Sequence, residues 1–229
     1  MKPVRLPRLA KTVLAAVFLT SVAHAQLFIT GKLTGEFTDT PGPNDTIYNA
    51  PDGSSAWFKS GIPYGSGSVP TAIAFSQKNF ANLGAGLVAD DLFTVTNGRN
   101  LLGSTASAAH FNLWVTLTAP EAHSGLLTMI PFTIENTPNN GTLIDDVFGI
   151  SSSPIAPFHY AGYKVQFDFV APATFTVHEN QSVQVGELYV SFIPAPEPST
   201  YAAAGAALLL AVVGLRRLRA RRLARPAAS

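Results

Sequence analysis

Phe111, Leu113, Val115 and Leu117 alternate with Asn112, Trp114, Thr116 and Thr118, a strict period of two. The period recurs in Ile130, Phe132 and Ile134, and most cleanly in Tyr163, Val165, Phe167 and Phe169 set against Lys164, Gln166 and Asp168. Side chains on an extended chain point to opposite faces in turn, so this pattern requires strands with one dry face and one wet face. The spacing predicts further strands over residues 28–37, 71–75, 92–96, 146–150, 174–177 and 183–192, separated by turn clusters such as Asn139-Asn140-Gly141 and Ser151-Ser152-Ser153-Pro154. Residues 79–87 are too rich in glycine for an amphipathic helix. Many short strands at regular spacing predict an all-β fold, a single antiparallel β-sandwich spanning residues 26–193. The last strand slips phase at Gly186-Glu187: Val183 and Val185 set one face, Leu188, Val190 and Phe192 the other. Either a β-bulge or a strand end at Val185 produces such a slip.

The two ends of the chain follow a different logic. Lys2, Arg5, Arg8 and Lys11 precede a compact apolar run from Val13 to Leu19, and Ala23-His24-Ala25 is a small-x-small cleavage pattern. Together they predict a signal peptide over residues 1–25 with the mature chain starting at Gln26. At the other end, Pro196-Glu197-Pro198-Ser199-Thr200 runs into an apolar stretch over residues 201–215, which stops at Arg216, Arg217, Arg219, Arg221, Arg222 and Arg225. The apolar stretch predicts one C-terminal transmembrane helix, short against the roughly 20 residues a bilayer needs. Its six alanines make it weakly apolar, and the arginines hold its end on the cytoplasmic side. The helix therefore suits temporary retention better than permanent anchoring.

Residues 194–229, in the order motif, helix, basic tail, resemble the PEP-CTERM sorting signal of Gram-negative bacteria. The resemblance implies recognition by an exosortase, a membrane-embedded cysteine transpeptidase-like enzyme, with Pro196, Glu197 and Pro198 as the motif it reads. Its further implications are signal peptidase as the first processing partner and transient residence in the inner membrane. The end point is the cell surface or extracellular matrix, in an exopolysaccharide or biofilm setting. The region from Phe111 to Asn136, with Thr137-Pro138-Asn139-Asn140-Gly141, Asp145-Asp146 and Gly162-Tyr163, resembles the exported choice-of-anchor domains, the K type most closely. That resemblance implies an all-β exported domain and no defined activity.

Charge divides along the same boundaries. The net +1 of the whole chain averages compartments that are not shared, since four basic residues lie in the signal peptide and six in the tail. Residues 26–193 keep five basic residues against thirteen acidic ones, a net −8, which argues against nucleic acid as a partner. With no cysteine in the chain, thiol catalysis and zinc–cysteine sites are excluded. His110, His123, His159 and His178 form no His-Glu-x-x-His motif and no Gly-x-Ser-x-Gly elbow is present, so the expectation is a non-enzyme. His110 and His178 fall on polar-face parity and read as ordinary surface histidines.

Two kinds of ligand site remain as expectations. Asp145 and Asp146, close to Asn139, Asn140 and Gly141, are a weak calcium candidate, and Asp39, Asn44, Asp45 and Asp52 a weaker one. Trp57, Trp114 and Tyr160 are the candidate carbohydrate contacts, on the alternative reading of a secreted carbohydrate-binding module or a degenerate glycan-active domain. Capping of the core ends is the competing use of Trp57-Phe58, Tyr64 and Phe158-His159-Tyr160. Trp114 is the aromatic out of place, because its parity puts it on the wet face.

Overall fold

The computed structural model describes residues 26–137, 145–151, 153–194 and 205–216. Its strands in chain order begin with β1 (Ile29–Phe37), β2 (Asp45–Asn49), β3 (Ser55–Ser60), β4 (Thr71–Ser76) and β5 (Lys78–Leu83). There follow β6 (Gly86–Ala89), β7 (Phe93–Thr96), β8 (Ala108–Ala119), β9 (His123–Glu135) and β10 (Asp146–Ile150). The set closes with β11 (Phe158–Tyr160), β12 (Tyr163–Val170), β13 (Thr174–Val177), β14 (Ser182–Val185) and β15 (Glu187–Pro194). Residues 205–216 are helical.

All pairings are antiparallel and build three sheets. The strand orders are β13-β10-β9-β8-β1-β5, β11-β12-β15-β6 and β14-β7-β4-β3-β2. The all-β expectation holds. The period-two residues bury as their parity requires: Phe111, Leu113, Val115, Ile130, Phe132, Val165 and Phe167 are fully enclosed. Rings lock the sheets together. Phe93 on β7 lies 5.0 Å from Phe111 and 5.0 Å from Phe132 on the six-stranded sheet, both edge-on, and 6.3 Å from Phe169 on β12. Phe75 and Phe58 of the five-stranded sheet reach Phe111 and Phe37 at 4.9 and 6.0 Å. The six-stranded sheet thus packs on the five-stranded one, His123 of β9 stacks on Phe158 of β11 at 4.4 Å to join it to the four-stranded one, and Phe93 touches rings from all three sheets.

The phase slip at Gly186 is a change of sheet. β14 pairs with β7 in the five-stranded sheet, whereas β15, one residue later, pairs with β12 and β6 in the four-stranded one. Gly186 makes the turn at φ +91°, and its carbonyl accepts from the Leu92 amide at 3.0 Å. The opposing chain breaks at the same level between β6 and β7, where Asp91 has φ +48°. Of the two alternatives raised by the sequence, the strand does end at Val185, and a new one starts at once.

Strands β2, β3, β5, β6 and β11, and the first half of β9, were not expected. In β3 the core positions are Ala56, Phe58 and Ser60, of which only the phenylalanine carries a hydrophobic signal. In β5 only Phe80 is buried. In β9 a register shift opposite Leu113 and Trp114 inserts Leu127, so the parity changes in mid-strand.

Candidate functional site

Trp114 stands on the outer face of the six-stranded sheet, at the centre of β8. Register places it opposite Thr34 of β1 on one side and Leu126 of β9 on the other; one pair along, Asn112 lies between Glu36 and Met129. The inserted Leu127 turns both Leu126 and Met129 outward, so their exposures, 49% and 45%, add to the 36% of Trp114. Bulges re-aim side chains in this way. The result is a flat strip, apolar along its middle and polar on its flanks.

A loop converts one side of the strip into a groove. β5 pairs with β1 only as far as Leu33, which leaves the later part of β1 an open edge. The β2–β3 turn closes that edge. Asn49 accepts from the Phe37 amide through Oδ1 at 2.9 Å and donates from Nδ2 to the Phe37 carbonyl at 2.8 Å, while the Gly35 amide donates to the Gly53 carbonyl at 3.2 Å. Held there, Pro51, Asp52 and Gly53 face Trp114 across Thr34 and Glu36, bordering an open groove of about 290 Å³. The hydroxyl of Ser54, and then its amide at 3.0 Å, hold the Asp52 carboxyl below the usual aspartate value.

The other carbohydrate candidates are already engaged. Trp57 stacks on Tyr48 at 5.6 Å and carries the Lys59 ammonium 4.4 Å above its ring. Tyr160 is 5% exposed; its hydroxyl donates to the Glu121 carbonyl and accepts from the Glu121 amide at 3.1 Å. Phe158 stacks on His123 at 4.4 Å. Tyr160 is thus corrected from a ligand contact to a cap on the core end, the competing use foreseen for this aromatic group. Trp114 makes no ring or cation contact among the described residues. Parity had marked it; Glu36, Leu126 and Met129 were missed, because neither the bulge nor the closing loop has a local signature.

The acids disperse rather than gather. Asp145 pairs with His178, tying the start of β10 to the end of β13. Asp146 points the other way, onto the core face, at 3% exposure, and accepts from the amide and hydroxyl of Thr137 at 2.9 and 3.1 Å. Asn139, Asn140 and Gly141 lie outside the described residues. Asp39 pairs with His110 Nδ1 at 2.7 Å, and Asp45 accepts from Gly42 and Ser60. Among the described residues no group of three or more potential metal ligands assembles. His110 and His178 lie at the surface as their parity suggests, each paired with an aspartate.

Burial raises the Asp146 carboxyl above the ordinary aspartate value, partly offset by the two Thr137 bonds. The folded state therefore holds this proton more tightly than the unfolded chain, and stability falls as pH rises from the ordinary carboxylate range through the raised value. Asp146→Asn keeps an acceptor for Thr137 and removes the titration. The urea midpoint of the variant relative to the native chain is expected to climb between about pH 4 and the raised value and then level off. A difference that stays flat across this range would remove the assignment.

Of the terminal residues, Ala23 and Ala25 lie outside the described set, as do residues 196–200 and Arg217, Arg219, Arg221 and Arg222. Gln26 is exposed, and Arg216 is the last described residue of the helical segment. Among the described residues no helix is long and apolar enough to cross a membrane. Neither a protein-family model nor a curated protein matches the chain.

Proposed function

We propose that the chain is an exported protein of the cell surface or extracellular matrix, delivered through exosortase processing of its C-terminal signal. On this reading residues 1–25 are removed by signal peptidase, and the three sheets form one β-sandwich that serves as a structural or adhesive element in an exopolysaccharide or biofilm. The helix and arginines then hold the chain briefly in the inner membrane. No catalytic step is part of the proposal. The observation that carries it is the helix itself. Leu208, Leu209, Leu210, Val212, Val213 and Leu215 are 43–69% exposed, with Pro-Glu-Pro upstream and Arg216 at its end. A helix apolar on every side belongs in a core or a bilayer, and among the described residues nothing covers this one. The apolar run of residues 201–215, short against the roughly 20 residues a bilayer needs, fits an anchor that is cut away. The test is replacement of Pro196, Glu197 and Pro198 by alanine in the native host, followed by fractionation. The variant is expected to accumulate in the inner membrane, with loss from the surface of at least tenfold; unchanged surface delivery would refute the proposal.

A further inference from the structure

We propose that the groove between Trp114 and the β2–β3 turn binds a polysaccharide strand carrying free amino groups. The proposal adds a ligand to the surface role suggested above, and it does not depend on how the chain is sorted.

Three features of the groove select this chemistry. Both of its charged lining groups, Glu36 and Asp52, are carboxylates; Lys32, two positions from Thr34 on the same face of β1, lies outside the lining, and its ammonium acts on Asp52 from the rim. The domain around it carries a net −8, so a cation is drawn in over a distance and then met by acceptors. A neutral sugar would desolvate these carboxylates with weaker compensation than an ammonium group provides. The second feature is the uncovered Trp114 ring, continued by Leu126, which offers the apolar face of a pyranose a surface and an ammonium a ring quadrupole. The third is placement. The strip lies on a sheet face, and the nearby edge of β1 is closed by Asn49 and Gly53. An extended basic peptide is captured most readily by adding to an open strand edge, and that edge is taken. A flat chain of sugar rings needs no edge.

The measurement is calorimetric titration of the full chain, in a zwitterionic detergent without a sugar headgroup, with a hexamer of β-1,4-linked glucosamine. Its fully N-acetylated counterpart and hexalysine serve as comparisons. The glucosamine hexamer is expected to bind, with affinity falling roughly tenfold on N-acetylation and roughly tenfold in Trp114→Ala. A Glu36→Gln, Asp52→Asn double variant is expected to lose the distinction between the free amine and its acetylated form. Trp57→Ala, at the occupied aromatic pair, is expected to bind like the native chain. Unaltered melting temperatures check that the variants remain folded. Absence of binding to the glucosamine hexamer overturns the proposal, as does binding indifferent to Trp114. Equal affinity for the acetylated hexamer removes the amine. Hexalysine binding that is as tight, and as dependent on Trp114, transfers the groove to basic peptides and overturns the sugar assignment. A failed sorting experiment leaves each of these readings unchanged, so the two proposals fail separately.

Discussion

Phe93→Ala is expected to lower the melting temperature of the β-domain by about 10 °C or more, measured by circular dichroism on the native and variant chains. Phe93 is fully buried, and its ring contacts Phe75 at 6.0 Å, Phe111 and Phe132 at 5.0 Å each, and Phe169 at 6.3 Å. Truncating a buried phenylalanine costs about 3–5 kcal/mol, through lost transfer energy and the cavity that remains. For a domain of this size each kcal/mol moves the midpoint by about 2–4 °C. Relaxation usually reduces such losses when one layer slides into the gap. Here the surrounding rings belong to three sheets, so no single movement fills it. A shift below about 2 °C would show that the sheets do not share this core.

The second large effect is expected at the joint between sheets. Gly186→Val places a β-branched residue at φ +91°, and its Cβ would stand 3.0 Å from Phe169 Cε2 and 3.3 Å from Phe93 Cδ2. Gly162 has a similar φ of +79° but open space around the same atom. Gly162→Val therefore measures the backbone strain alone, on the order of 1–3 kcal/mol. Gly186→Val adds displacement of two core rings, for a total of about 3–5 kcal/mol by denaturant unfolding. The difference between the two variants reports the packing at the joint. Equal losses would mean that Phe93 and Phe169 yield freely there, contrary to the role assigned to Phe93.

How much of this could be read from the amino-acid sequence depends on which residues sit at core positions. β8 and β12 were legible because Leu, Val, Ile and Phe dominate their inward sites, and β10 because Phe148 and Ile150 mark its core face, although Asp146 opens it. β3 was not, since Ala56 and Ser60 are as buried as Phe58 but carry no apolar signal. The slip at Gly186 was visible as a change of phase. That it joins two sheets depends on where β7 and β12 lie, which is a matter of long-range pairing. For the groove, Trp114 announced itself by parity. Its partners come from an inserted residue in β9 and a side-chain amide on β2 that caps a distant strand edge. Local pattern holds no trace of either contact. Tyr160 shows the opposite error: an aromatic beside turn residues looked available, and the backbone of Glu121 already held its hydroxyl.

The central claim is that the C-terminal signal is cut and its helix left behind. The most direct test is the intact mass of the protein recovered from the cell surface of its native host. The account predicts a chain that starts at Gln26 and ends close to Pro196-Glu197-Pro198, without the helix 205–216 and the arginines beyond it. A surface-exposed chain whose mass still includes the helix and the arginine tail would contradict it.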